Sequence, residues 1–382
     1  MTRRQRLMAT IRGEAVDRPA VSFYEIGGLP ANPDDPSPFN IHNDPSWRPL
    51  IKLAEEWTDL IRLRTPDVRP ACPQVVSELR KEETWTEQSA HGPSRYRRTT
   101  IRIGGRTLTS LTRRDAGIDT IWTIEHLLKG AEDLRAYLEL PDEYLEETIH
   151  CANLHAEDAL VGDAGIVMVD TSDPLCLAAA LFSMEDYTTL AFTEPALFHR
   201  LLEKFAKPLY RRTEIVAAAF PGHLWRIYGP EYASEPFLPP ALFDEYVVRY
   251  VEPMVRMINQ HGGFARIHCH GRVRNILPKM VKMGAAGTDP LEPPHQGDIT
   301  LAEARAMVGK DLVIFGNLEV SDIENLPPAQ FEQVVRRSLA EGTAGSGRGF
   351  VLMPSAAPYG RMITPTTMAN YMTMVRLVEA MA

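Results

Sequence analysis

The stretch that decides the architecture runs LWRIYG (224–229), LFDEYVVRYVEPMVRMINQHGG (242–263), FARIHCH (264–270). Two short apolar runs flank a segment, Pro240–Gln260, whose apolar residues recur at helical spacing. A strand–helix–strand unit of this kind pairs its strands in parallel through a right-handed crossover. The same alternation recurs in GIVMVD (165–170), AAGTDPL (285–291), DLVIFGN (311–317) and GFVLMP (349–354). Helical segments lie between and after them at Glu194–Ala219, Val273–Met283, Ala329–Ala340 and Thr364–Ala380. Thr300 and Glu303 form the T-x-x-E pattern of a capping box, which predicts one more helix.

Working back towards the N-terminus, a helix over Arg4–Arg12 ended by Gly13 precedes the apolar run AVSFY (20–24). A second helix, Trp47–Trp57, precedes Leu60–Leu63. Counting these two runs brings the strands to about eight, which predicts an α/β fold of the (β/α)8 TIM-type barrel. An open doubly wound sheet is the alternative, weakened because no G-x-G-x-x-G or Walker loop follows any strand. The run GTAGSGRG (342–349) matches a phosphate loop only in composition and reads as a connection. YRRTTIRI and RTLTSLTR flank Gly104–Gly105, a two-residue hairpin signal. Residues 66–123 therefore read as a small antiparallel excursion from a single barrel domain spanning 1–382.

With 44% hydrophobic and 24% charged residues among 382, the chain has the profile of an ordinary soluble globular protein. A net charge of -9 with no strongly basic segment argues against nucleic acid and anionic membranes as partners. No run reaches the ~20 apolar residues of a membrane span. The 4 cysteines are scattered, without a C-x-x-C pair, so a reducing cytoplasm is the default location.

In a barrel the chemistry gathers where strands end at the C-terminal face. Those ends carry Glu25, the DTSD run from Asp170 to Asp173, Glu231, His268 and His270, Asp289 and Glu292, Asn317 and Glu319, and Ser355. On a strand, His268 and His270 share one face while Cys269 points to the other. They can be two imidazoles satisfied by neighbouring carbonyls, or a His-x-His pair for zinc. For the zinc reading Glu231, from the preceding strand, is the nearest third ligand, and Glu292 the second choice. Asp170 is a candidate base or anchor, although acids in such a turn also cap helices. Asn317 is a candidate substrate contact, and Tyr24, Trp122, Tyr228, Tyr232 and Phe237 are candidate aromatic walls.

The opening TRRQRLMATIRGEAVDRPAV resembles the start of the uroporphyrinogen decarboxylase superfamily, in which a helix leads through DRP into the first strand. GPEYASEPFLPPALFDEYVVRYVEPMVRMI, IHCHG and GAAGTDPLEPPHQGDITLAEARAMVGKDLVIFGNLE extend the resemblance over most of the chain. It implies a TIM-type barrel with the active site at its C-terminal mouth. Decarboxylases of the superfamily carry an arginine-rich M-R-Q-A-G-R-Y after the first strand; FYEIGGLPANP (23–33) has no arginine, which speaks against a substrate rich in carboxylates. The zinc methyltransferases carry H-x-C-G and a late cysteine. His270 stands where the first of those thiolates would be, and Ser355 where the second would be. The site that remains is an N/O type, with His268, His270 and Glu231 as metal ligands and Asp170, Glu231 and Glu292 as catalytic acids. Glu25, Tyr24, Tyr228, Tyr232 and Asn317 would then contact substrate.

The resemblance thus implies a zinc-dependent methyltransferase of the O-demethylase kind. It would take a methyl group from a methoxylated small molecule and pass it to a corrinoid (cobalamin) protein or to tetrahydrofolate, and it would work as a homodimer. The alternatives are a decarboxylase or lyase on a smaller acid, anchored by Arg62, Arg64 or Arg226, a metal-dependent hydrolase, and a sensor without chemistry.

Overall fold

The computed structural model describes residues 1–345 and 348–382. Its centre is one 8-stranded parallel sheet. We number its strands β1 (Ala20–Val21), β2 (Leu60–Arg64), β3 (Gly165–Ser172), β4 (Leu224–Tyr228), β5 (Phe264–His268), β6 (Gly287–Asp289), β7 (Val313–Leu318) and β8 (Phe350–Pro354). Each coincides, within a few residues, with an apolar run read from the sequence. The ladder runs in order from β1 through β8 and down to β2. Residues from both ends of that order, Ala20, Ile61 and Leu63, share one apolar cluster with Leu224, Val313 and Phe315, so the sheet curls upon itself as a barrel. The open doubly wound alternative is thereby excluded.

Among the described residues, no strand ladder joins β1 to β2. The seam is closed instead by Asp59. Its N–H donates to the Val21 carbonyl at 2.7 Å and its Oδ2 accepts from the Val21 N–H at 2.9 Å. The same fully buried carboxylate takes Arg6 Nη1 at 2.6 Å and Arg18 Nη1 at 2.9 Å. Higher up, the Leu63 N–H donates to the Gly28 carbonyl at 2.9 Å. Asp17 and Arg18 of the DRP stretch are thus parts of a clamp, since Asp17 also binds Arg6. Helix α1 (Arg3–Arg12), boxed by Thr2 and Gln5 and stopped by Gly13 at φ 73°, puts Leu7 and Ile11 into the interior and plugs the bottom.

Strand parity divides the apolar residues into two cores. Ile166, Met168, Leu224, Phe315, Val351 and Met353 point inward. Val167, Val169, Trp225, Ile227, Ala265, Ile267 and Cys269 point outward against the helices. Gly287, level with Arg266 and Val313 in the sheet, makes room for the Phe315 ring: a Cβ there would lie 2.9 Å from Phe315 Cε2. Gly287→Ala is expected to lower stability by about 1–3 kcal/mol through overpacking, read as a fall in the urea midpoint at unchanged m-value.

The antiparallel excursion is larger than 66–123. Arg80–Ser89, Gly92–Ile103, Arg106–Asp115 and Ile121–Glu125 form a meander, with Gly104 and Gly105 at positive φ in the predicted turn. A separate ribbon pairs Asp67–Pro70 with Glu147–His150. The meander's base packs onto the body through Ile101 and Leu108. Near its end, Ile118 pairs with Gly360 in the loop after β8, so the excursion buttresses the barrel mouth. Residues 346–347 of the glycine-rich connection lie outside the described residues. Among the described residues no helix is long and apolar enough to cross a membrane.

Candidate active site

Above the inner apolar core, parity continues on β3, β4 and β5 with Asp170, Arg226, Arg266 and His268. These groups form one connected chain. Arg226 grips Asp170 with Nε at 2.7 Å and Nη2 at 3.3 Å, and its Nη1 donates to Tyr24 Oη at 2.6 Å. Tyr24 Oη lies 3.4 Å from His268 Nε2, and His268 Nδ1 lies 2.8 Å from Asp289 Oδ2. Asp289 Oδ1 lies 2.9 Å from Arg266 Nε, an ion pair out of hydrogen-bond alignment. Arg266 rests on the Phe315 ring at 4.9 Å. Tyr24 reaches this position from a left-handed backbone (φ 37°), unusual for a residue with a side chain. Such a conformation is held by its surroundings, and here the hydroxyl's two partners supply the hold.

Electrostatics follow from this wiring. Burial pushes the Asp289 carboxyl up, but the charges of Arg266 and His268 and the His268 hydrogen bond outweigh it, leaving a value of about 2. Burial raises the Tyr24 phenol far above its ordinary range, so it stays a neutral donor and acceptor. Tyr24→Phe keeps the ring and removes Oη, leaving Arg226 Nη1 without its acceptor. The expected cost is about 1–3 kcal/mol, measurable by thermal or urea unfolding.

A second pair sits at the rim. His270 follows the end of β5, yet its ring meets that of His268 edge-on with centroids 4.7 Å apart. Its Nδ1 lies 2.8 Å from Glu292 Oε1, while Glu292 Oε2 accepts the Gly271 N–H at 2.8 Å. Burial alone lowers the His270 pKa; the Glu292 hydrogen bond and charge reverse this, and the net shift is upward. For Glu292, burial raises the pKa, and the His270 bond and charge with the Gly271 N–H bring it below the ordinary value. His270 remains 37% exposed while His268 is buried, so the rim imidazole is the one that can meet a ligand.

The other sequence candidates lie as follows. Glu231 turns back to accept the Gly229 N–H at 3.1 Å. Asp173 caps the helix Pro174–Ala179 through Cys176 N–H, which is helix-cap duty. Tyr228 stacks near Arg226, whose guanidinium carbon lies 5.3 Å from its ring. Tyr232 packs edge-on against Tyr187 at 6.1 Å, towards the outer core. Trp122 lies on the excursion under Arg113, and Phe237 is exposed. Asn317, 7% exposed, precedes Leu318, which packs into the outer core, and so lies on the side of the mouth. Ser355 accepts the Val320 N–H at 3.1 Å and so starts the helix Val320–Asn325. Glu25 is largely shielded at the end of the β1 segment, and burial raises its carboxyl pKa against the opposing charges of Arg226 and His268.

Of the residues central to this network, Arg266 was not among the sequence candidates and Asp289 was named as a strand end without a role. Arg266 stands two before His268, so strand parity alone points it inward. Asp289 was visible as a strand end, but its place beside His268 follows from the β5–β6 register, which the sequence does not print.

The donor set can be tested against the zinc expected from the resemblance. Both imidazoles set Nδ1 against a carboxylate, as metal-bound histidines do; Nε2 of His268 faces Tyr24 Oη at 3.4 Å, which leaves Nε2 of His270 without a partner among the described residues. The third ligand does not join them: Glu231 faces Gly229, Glu292 is held by His270 and Gly271, and no group of three His, Cys, Asp or Glu among the described residues converges to hold a metal ion. As placed, the residues do not fit a three-ligand zinc centre.

The sequence profile of the family described as uroporphyrinogen decarboxylase (URO-D) matches residues 123–381. The chain belongs to that family. A curated relative, uroporphyrinogen decarboxylase of Gloeobacter violaceus, is 30% identical over 172 residues, 42% of this chain and 45% of that protein. The match therefore spans less than half of the relative's length. Among solved structures, a methyltransferase from Methanosarcina mazei superposes with a TM-score of 0.57 at 14% identity, covering 100% of this chain and 99% of that one. At that identity the likeness is one of fold. The matched URO-D region begins near the end of the excursion meander and contains β3 to β8, so every strand end named above except that of β1 and β2 lies inside it.

Proposed function

We propose that this URO-D family enzyme is a methyltransferase that removes a methyl group from the oxygen of a methoxylated small molecule. The observation that carries the reading is the His270–Glu292 pair, a partly exposed imidazole whose protonated form is favoured by the acid behind it. Breaking a methyl–oxygen bond by in-line displacement leaves an anionic oxygen, and a general acid beside it lowers that barrier. In this scheme the acceptor's electron pair forms the new bond to carbon, the carbon–oxygen pair stays on oxygen, and His270 gives that oxygen its proton. The Asp170–Arg226–Tyr24–His268–Asp289 chain forms the floor and holds the ring of His268 against that of His270. A corrinoid protein or tetrahydrofolate is the proposed acceptor. Among the described residues the donors do not converge on a zinc ion, so the proton is supplied by His270.

The second reading, decarboxylation of a smaller acid, is favoured by the family itself. Its anchors are already committed, however. Arg62 binds Glu55 with Nη2 at 2.7 Å, Arg64 binds Glu157 at 2.8 Å and Arg226 binds Asp170 at 2.7 Å. A substrate carboxylate would have to displace a protein carboxylate to be neutralised, while Glu25, Glu292 and Glu319 surround the entrance. A panel of methoxylated aromatics incubated with reduced cobalamin or tetrahydrofolate tests the choice. Release of the free hydroxyl with a methylated acceptor is expected; carbon dioxide release from the corresponding acids, without methyl transfer, would move the assignment to the lyase.

A further inference from the structure

The mouth is electrically divided. Strands β3, β4 and β5 bring Asp170, Arg226, His268 and His270 to one side. The facing arc, built from the ends of β6, β7, β8 and β1, carries Glu292, Asn317, Glu319, Tyr359 and Glu25. Cations near that arc are engaged elsewhere: Arg361 binds Asn43, and His270 is matched by Glu292. Glu25 faces the charges of Arg226 and His268, and Glu319 takes hydrogen bonds from the Ser321 N–H and the Ser355 hydroxyl, yet burial raises the carboxyl pKa of both, with the charge of Glu292 adding to the rise at Glu319.

Two atoms in this arc point to a ligand. Asn317 is 7% exposed, lies on the mouth side opposite its neighbour Leu318, which packs into the outer core, and its Oδ1 has no hydrogen-bond partner among the described residues. Glu319 Oε2 is likewise buried without a partner. A buried carbonyl oxygen left unpaired costs about 1–3 kcal/mol, so both atoms favour a ligand that brings N–H donors and positive charge. Tyr359, 58% exposed on the loop pinned by the Ile118–Gly360 pairing, offers a ring face at the entrance. A cation over such a face is favourable.

We propose that the arc of Glu25, Asn317, Glu319 and Tyr359 binds a protonated amine, so that the substrate is a small molecule bearing both an ammonium group and the methylated oxygen. The identity of the reacting group rests on the methyl-transfer reading above; the ammonium site does not. An N–H-bearing amine fits better than a quaternary one because Asn317 Oδ1 needs a donor. A metal ion fits less well, since the acids are spread over separate strand ends and no group of three among the described residues converges on one point.

Calorimetric titration at neutral pH and low salt separates these cases, with 4-methoxybenzylamine, 4-methoxybenzyl alcohol and 4-methoxybenzyltrimethylammonium as probes, each with and without EDTA. The amine is expected to bind at least about tenfold more tightly than the alcohol, roughly one charge-assisted hydrogen bond's worth, and more tightly than the quaternary probe. Glu319→Gln is expected to erase most of that advantage while leaving alcohol binding unchanged. Glu25→Gln serves if the first variant does not fold. Equal binding of amine and alcohol, an advantage that survives both variants, or one abolished by EDTA would each overturn the ammonium site. Because the readout is binding, its failure is distinct from failure of the function. Demethylation of amine and alcohol alike would refute only the ammonium site, and tight amine binding without methyl transfer only the reaction.

Discussion

Asp289→Asn is expected to destabilise the protein by about 3–5 kcal/mol, because it removes the negative partner of a buried charge and leaves that charge in place. The remaining charge is Arg266, 1% exposed, whose Nη2 already lacks a partner among the described residues. His268 loses its Nδ1 partner in the same step. Equilibrium urea unfolding measures the loss. Adding Arg266→Met, which removes the stranded cation and keeps an apolar stem against Phe315, should recover much of it; a double variant as unstable as the single would refute the ion-pair account. The pH dependence has a defined sign. Asp289 titrates lower in the folded protein, at about 2, than its ordinary value of 3.8. Its contribution is therefore complete above that ordinary value and is lost as pH falls towards 2. Asp289→Asn should flatten the acid limb of the stability curve.

The second large effect concerns the rim. His270→Ala should reduce methyl transfer by about 10²–10⁴-fold, with stability little changed because the ring is partly exposed. The loss should be steep for substrates whose departing oxygen is basic and shallow for a nitrophenyl ether, whose departing oxygen needs no proton. A uniform loss across that series would assign His270 a purely positional role. The His270 pKa is raised, so the active protonated form persists through the ordinary imidazole value of 6.5 and disappears as pH rises through the higher folded value. Glu292→Gln removes the cause of that rise and should move the basic limb of the rate profile to lower pH.

The barrel was legible because its eight strands are apolar runs with period-two parity, and parity needs no knowledge of neighbours. It put His268 and His270 on a shared side and sent Cys269 outward, and the ring contact and the buried Cys269 agree with it. Arrangements that depend on register or on backbone turns were not legible. Tyr24 could be listed as a wall, but not as the bridge between Arg226 and His268, since that depends on a left-handed turn at a residue with a bulky side chain. The strand Arg80–Ser89 escaped because RKEETWTEQS is polar on both faces and almost wholly exposed, leaving no alternation to read. The short helices Pro174–Ala179 and Val320–Asn325 are too brief for helical periodicity to emerge.

The seam held by Asp59 also sets a timetable. Strand β1 has β8 as its ladder partner, pairing Ala20 with Val351 and Val21 with Leu352. During synthesis the first strand and the helix that plugs the bottom must wait for the last strand before either finds its place. Contacts this distant in sequence make folding slow, and the waiting segment exposes Leu7, Ile11 and a strand edge that favour misassembly. The bonds among Arg6, Asp17, Arg18 and Asp59 span residues 6 to 59, while the pairing of Arg18 with Glu379 waits for the last helix. They can form early, keeping the unfinished end folded back on itself until the closing strand arrives.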